Sequence, residues 1–459
     1  MSKKINRRDF LRLAGTATAG GLLAACAAPA TPAEEVTEIE TVVTATPPPQ
    51  EPVTIRFIAQ APEEYYNVDA FSEQHPLITV EFDDIGDQGF EEAVLTRVAG
   101  GNPPELAWIG GGRLWRFAQA GALDTIDDLV KASPHAELDL IEPNAIAQYT
   151  SPDFFPKGQV MAKPGLYGWP VYLTTFQMLF NKRILADFGV EHPKKGWTWD
   201  DFRSSLQLAS NPPETWGFVM PGSSTGSTTP FIHSMIWSNG GSVYDGNGKC
   251  TLASSEAVET LKFLQALVVE DGTARLGESA EGAEFTGGNT AYQFFGNFVI
   301  GWYDGVMEDP YGLVPLPKKT NDAVFGGVDG FGFLAGAENP WAAWELAKWM
   351  SSYEYEGGQG GQKVLNDEDS VEVISVNKKA AAGAYVNVDP NKTIPEGAEE
   401  WFPEWALENA RFEPWIPQGP GFNYLTAYDG LWEGDSVEDT LASIAESIDM
   451  MNEAAMKYG

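Results

Sequence analysis

Residues 53–109 alternate strand-like and helix-like patterns at a pace that few folds accommodate. Val53-Thr54-Ile55-Arg56-Phe57-Ile58 alternates like a strand, a helical pattern follows around Asp69-Ala70-Phe71, and Ile78-Thr79-Val80-Glu81-Phe82 is a second strand. Glu91 to Val98 then carries Ala93, Val94 and Val98 at helical spacing, and Leu106-Ala107-Trp108-Ile109 is a short apolar strand. A period of two sends neighbouring side chains to opposite faces of a strand, whereas a period of 3.6 gathers them on one helical stripe. Strands and helices alternating this closely predict an α/β fold with a mostly parallel sheet. Ligands of such sheets bind beyond the carboxyl ends of the strands. The loops after Ile58 and Ile109 are therefore the first places to look.

Later segments supply the helices that cover such a sheet. Val258, Leu261, Leu264 and Leu267 form a stripe on a helix starting near Ser254-Ser255-Glu256, and Asn339-Pro340 opens another containing Trp341, Trp344 and Trp349. Ser436 with Asp439 has the form of a capping box ahead of Val437, Leu441, Ile444, Ile448 and Met451. These stripes read as core packing. A chain of 459 residues is long enough for two ordinary domains or one large bilobal body.

The first 52 residues do not contribute to that body. Arg7-Arg8 precedes a short Ala/Gly-rich run from Leu13 to Leu23, and the run stops at Leu23-Ala24-Ala25-Cys26. A charged start, a short apolar stretch and small residues before a cleavage point make residues 1–26 an export signal of the twin-arginine type. The apolar run is too short to cross a bilayer. Its last four residues resemble a lipobox, which would leave Cys26 as the lipid-modified N-terminus and anchor the chain to the membrane. Residues 27–52 are rich in Pro, Thr, Glu and Ala; they cannot bury a core and read as a solvated tether. With Cys26 lipidated, Cys250 stands alone and reads as a small buried hydrophobe.

Composition excludes several classes of partner and chemistry. The formal net charge is −36, with no Lys/Arg cluster after the signal, which excludes nucleic acid and disfavours a polyanionic ligand. The four histidines, at 75, 135, 192 and 233, have no spacing suited to a metal. No nucleophile elbow, metalloprotease helix, Walker loop or dinucleotide fingerprint occurs, so no catalytic residue, cofactor or metal is expected. Asp245-Gly246-Asn247-Gly248-Lys249 imitates part of a calcium loop, but Lys249 and Cys250 occupy positions that calcium cannot use, and a hairpin turn explains it better. Gly110-Gly111-Gly112 lacks the Lys-Ser/Thr of a phosphate loop and reads as backbone that approaches a ligand closely. What remains is aromatic. Trp108, Trp115, Trp169, Tyr172, Phe231, Trp237, Phe298, Trp302, Trp415 and Phe422 lie among Gly, Pro and polar residues. Aromatic faces cover the C–H faces of sugars, while short polar groups and carboxylates bond the hydroxyls.

The order of several segments resembles one family. Phe71-Ser72-Glu73-Gln74-His75-Pro76-Leu77-Ile78-Thr79-Val80, Val98-Ala99-Gly100-Gly101-Asn102-Pro103-Pro104-Glu105-Leu106 and Gln119-Ala120-Gly121-Ala122-Leu123 come first. Tyr167-Gly168-Trp169-Pro170, Leu179-Phe180-Asn181-Lys182 and Gly196-Trp197-Thr198-Trp199-Asp200-Asp201-Phe202 follow. Asn239-Gly240-Gly241, Gly312-Leu313-Val314-Pro315-Leu316-Pro317 and Ile416-Pro417-Gln418 complete the series. From residue 53 onward the chain is thus similar to the carbohydrate-binding extracytoplasmic solute-binding proteins of ABC importers, the maltose-binding-protein-like family.

That resemblance implies a bilobal periplasmic-binding-protein-like fold, with one lobe from 53–172 and 330–375 and the other from 173–329 and 376–459. It implies a monomer that captures a sugar or oligosaccharide by hinge closure and delivers it to a membrane permease, without chemistry on the ligand. Matching the motifs places ligand contacts at Gln60 and Glu63, Gly112 and Arg113, Tyr172 and Thr174, Phe231, Trp237, Asp329 and Phe422. Phe298 takes the position of a stacking platform, and Trp302 shares or replaces it. Gly112 stands where relatives often place a carboxylate, which argues against a maltose-like ligand. Two other readings stand beside this one: the same fold binding another polar solute, such as a glycerol phosphodiester, and a secreted carbohydrate hydrolase.

Overall fold

Parallel strands need both faces covered, and the first three strands are built for that. The computed structural model describes residues 51–458 except 61–62, 87–88, 111–113, 115, 119, 151–163, 224–226, 246, 278–282, 298–302, 304, 364–373, 384–395, 398–404, 406–407 and 412–421. Strand β1 (Val53–Ala59) lies between β2 (Ile78–Asp84) and β3 (Leu106–Trp108), parallel to both. Ile55, Phe57 and Ile58 are fully buried. The connections carry the helices Val68–Gln74, which buries Val68 and Phe71, and Phe90–Ala99, which buries Phe90 and Val94. This is the predicted strand–helix repeat.

The centre of the sheet departs from the prediction. Strand β4 (Gly168–Asn181) has 14 residues, more than twice the usual length, and it changes partners along its course. Gly168–Thr175 runs antiparallel to β9 (Val324–Phe333), whereas Phe176–Asn181 runs antiparallel to β7 (Thr290–Gly296) and β8 (Tyr311–Val314). Strand β9 also pairs antiparallel with β3. Beyond β7, β5 (Trp216–Met220) is parallel to β7 and to β6 (Ala274–Leu276). The order is β2-β1-β3-β9-β4-β7-β5-β6. The sheet is therefore mixed: parallel in its two wings and antiparallel where β4 and β9 pass from one wing to the other. The pattern around Val53–Ile109 sampled only a wing.

Local signals fix the element ends. Thr198 and Asp201 form a reciprocal capping box on the helix Trp199–Leu208. Ser254 caps Ser255–Val269, and Pro340 opens Pro340–Ser351. Asp245 Oδ1 accepts from the N–H groups of Asn247 and Lys249 at 2.8 and 3.0 Å, closing a turn bridged by Tyr244 and Cys250. The segment is thus a hairpin turn, whose carboxylate is occupied by backbone. Burial raises the Cys250 thiol to about 11, so it is inert packing. No described helix is long and apolar enough to cross a membrane.

Candidate functional site

The crossing of β4 and β9 is where the chain gathers polar side chains from distant segments. Tyr172 pairs with Asp329 and Thr174 with Gly327 across the ladder. Thr174 Oγ1 donates to Asp329 Oδ2 at 2.5 Å, and both side chains remain partly exposed. The loop after β3 closes on the same carboxylate. A Cβ at Gly110 would lie 2.6 Å from Asp329 Oδ1, so only glycine lets the backbone come this near. The sequence reading has this loop approach a ligand; Gly110 closely approaches Asp329, and Gly111 and Gly112 lie outside the described residues.

Tyr149, at the end of the helix Pro143–Tyr149, holds this arrangement from behind. Its hydroxyl donates to Ile109 O at 2.6 Å and lies 3.2 Å from Val328 O, tying the β3 loop to β9. Burial, and then the charge of Asp329, raise the phenol well above its ordinary range and keep it a donor. Ile109 N also donates to Gly330 O at 2.8 Å. On the other side, Thr175 N donates to the buried Asn297 Oδ1 at 2.9 Å, joining β4 to the residue that follows β7.

Aromatic rings flank the junction on both wings. At the carboxyl ends of β1 and β3, Trp108 meets Tyr66, Phe331 and Tyr172 with centroids 5.0, 5.2 and 5.6 Å apart. In the other wing Phe231, Phe294, Phe176 and Phe325 form a continuous pile at 5.1, 5.1 and 5.3 Å, ending at the partly exposed Phe325.

The structure sorts the residues singled out from sequence. Thr174 and Asp329 come together at the crossing, whereas Tyr172, opposite Asp329 in the ladder, is buried against Trp108. Gln60 follows β1, half-buried, and Glu63 begins the short helix Glu63–Tyr66. Phe231 and Trp237 do not present faces to a ligand. Phe231 is 1% exposed against Phe218 and Phe294, because the helix Thr228–Ser238 is buried along its whole length. Trp237 is 4% exposed at the far end of that helix, beside His233. Trp169 is likewise core, fully buried between His135 and Trp344. Phe422 is half-buried against Tyr424 and borders a shallow groove with Asp435, Asp439 and Ser443. Cys26, Gly112, Arg113, Phe298 and Trp302 lie outside the described residues. Tyr149, Gly110 and Asn297 were not among the predicted contacts. Tyr149 is 40 and 179 residues from its two partners, a separation that leaves no local pattern.

Residues 58–357 match the family described as bacterial extracellular solute-binding protein. The diacetylchitobiose binding protein DasA of Streptomyces coelicolor is 24% identical over 360 residues, spanning 74% of this chain and 75% of that protein. Among solved structures, the ABC substrate-binding protein Lmo0181 of Listeria monocytogenes, in complex with cycloalternan, aligns with a TM-score of 0.71 at 18% identity. That alignment covers 87% of this chain and 99% of Lmo0181. UgpB of Mycobacterium tuberculosis, in complex with glycerophosphocholine, aligns at 0.66 with 16% identity over 88% and 98% of the two chains.

Proposed function

Because this chain belongs to the bacterial extracellular solute-binding protein family, with that family's bilobal fold, we propose that it is the receptor of an ABC importer for a sugar or oligosaccharide. The observation that carries this reading is the Thr174–Asp329 pair, partly exposed at the crossing of β4 and β9, with the partly exposed ring of Phe325 at the same crossing. The carboxylate and the hydroxyl oxygen whose proton it holds both accept from sugar hydroxyls, and a neighbouring ring suits the apolar C–H faces. A phosphodiester would meet the carboxylate with like charge. The family binds solutes, and we read this chain as carrying out no chemistry on its ligand.

The proposed lobes are 53–172 with 330–375 and 173–329 with 376–459, each built around one wing of the sheet. The change of partner falls between Thr175 and Phe176, three residues beyond the proposed boundary after Tyr172. Capture by closure requires that the ligand bind the closed arrangement better than the open one. Phe298 and Trp302 follow β7 in sequence and are proposed as stacking rings of the second lobe, with Gln60, Glu63, Gly112, Arg113 and Phe422 as further contacts. The receptor works as a monomer held at the outer face of the membrane through lipidated Cys26, which places it beside its permease.

Thermal melting against maltotriose, diacetylchitobiose, cycloalternan and glycerophosphocholine tests the ligand class, since a ligand specific for the native state raises apparent stability by mass action. Stabilisation by a sugar is expected. Stabilisation by glycerophosphocholine alone would replace the sugar reading with the phosphodiester one, and release of shorter sugars on incubation would make the protein a hydrolase. Cys26→Ala should move the expressed protein from the membrane fraction to the soluble one, and retention in the membrane would exclude the lipid anchor.

A further inference from the structure

Gln177 lies in β4 two residues beyond Thr175, just past the point where the strand changes partners. It is fully buried, yet neither Oε1 nor Nε2 of its amide has a hydrogen-bond partner. It faces Phe295 across the ladder, and Leu179 follows on the same side of the strand. Polar groups next to it in the ladder are engaged elsewhere. Thr175 N is taken by Asn297, Thr175 Oγ1 donates to Phe325 O at 3.2 Å, and Gln293 Oε1 accepts from Tyr303. A cavity of about 10 Å³ in the same wing, bordered by Ser227, Glu284 and Gln293, has room for one water but is not lined by Gln177. An amide buried without partners costs more than any contact its methylenes make, so an apolar residue of the same length would suit this conformation better.

We propose that Gln177 is a positioning residue for ligand capture: its amide is unsatisfied in the present arrangement of the crossing and gains hydrogen bonds when the two wings rotate there on binding. The placement carries this idea. Residues 174–177 span the change of partner, Thr174 and Thr175 pairing with β9 and Phe176 and Gln177 with β7, so rotation between the wings acts on this stretch. An unmet hydrogen-bond demand raises the free energy of the present arrangement only, and thereby favours the bound one. The proposal rests on the reading of the protein as a closing receptor.

The test uses Gln177→Met and Gln177→Leu in the full chain, melted without ligand and titrated with diacetylchitobiose or cycloalternan, whichever stabilises wild type. The expected result has opposite signs: ligand-free melting rises by a few degrees, while affinity falls about five- to tenfold as the bound-state hydrogen bonds are lost. A merely structural residue would move both in the same direction. Lower ligand-free melting would mean that the amide is already satisfied, and unchanged or tighter binding would mean that the bound form does not use it; either overturns the proposal. If neither sugar stabilises wild type, the sugar reading fails separately. The melting result then decides together with hydrogen exchange at Thr175–Met178, which should slow in Gln177→Met; unchanged or faster exchange overturns the proposal.

Discussion

Asp329 is the residue on which the proposed binding chemistry converges. Its carboxylate is touched by Thr174 and crowded by Gly110, and its charge is felt by Tyr149. Hydrogen bonds to a charged group contribute about 1.5–3 kcal/mol. Asp329→Asn should therefore weaken binding of the stabilising sugar by about 10- to 100-fold, with the circular dichroism spectrum unchanged. Calorimetric titration reads the affinity, and wild-type binding by the variant would remove Asp329 from the site. Thr174→Val, which keeps the shape and loses the donor, should cost less, about fivefold. Gly110→Ala tests the same group from the backbone side. Its new methyl would sit 2.6 Å from Asp329 Oδ1, so the carboxylate must move, and affinity should fall although no ligand contact has been deleted.

At the scale of elements, legibility followed sequence distance. The parallel wing was readable because each strand and its covering helix lie within 30 residues and carry their own periodicity. Caps were readable for the same reason: Thr198 and Asp201 are three residues apart and make both bonds of a capping box. Removing that cap, Thr198→Ala, should cost about 1 kcal/mol in urea denaturation, and no loss would mean the helix end is held by packing alone. The antiparallel centre was not readable, because β4 is buried almost throughout and a continuous apolar run does not declare its partner. The same limit explains Phe231 and Trp237. Ligand wall and core wall use the same residue types, and only the burial of the entire helix Thr228–Ser238 separates them. Asp329 and Thr174 were proposed through family order, while Tyr149 and Gln177 became visible only when segments far apart in sequence were brought together. Close approach at the crossing makes a further expectation: a Cβ at Gly330 would lie 2.1 Å from Trp169 O, a backbone atom that cannot turn aside. Gly330→Ala should therefore break the β4–β9 pairing and leave little soluble protein, whereas normal yield and melting would show that the strands can separate at no cost.

For the whole molecule, the histidines set how stability responds to the pH outside the cell. His135 stacks on Trp169 with its Nε2 3.0 Å from Ser351 Oγ, and His233 is fully buried with its Nε2 2.7 Å from Tyr424 Oη. Burial lowers His135 to about 4 and His233 to about 3. It also lowers His75, against the pull of Glu356 and Glu345. In the unfolded chain these imidazoles titrate near 6.5, so between that pH and their folded values the unfolded state binds more protons. Stability from the neutral rings is complete above pH 6.5 and is lost as pH falls toward 4, at about 1.4 kcal/mol per pH unit for each fully buried ring. Carboxylates held low by cations, Asp309 by Arg183 and Glu396 by Lys182, act in the same direction. Their contribution is present above the ordinary carboxylate range and is lost only below it, so the interval from pH 6.5 to 5 isolates the histidines. Melting temperature should fall steadily across that interval, and the fall should flatten in His135→Gln and again in the double variant with His233→Gln. A profile level from pH 7 to 5 would mean that the folded protein protonates these rings as readily as the unfolded chain, and that the two aromatic cores around Trp169 and Tyr424 admit charge.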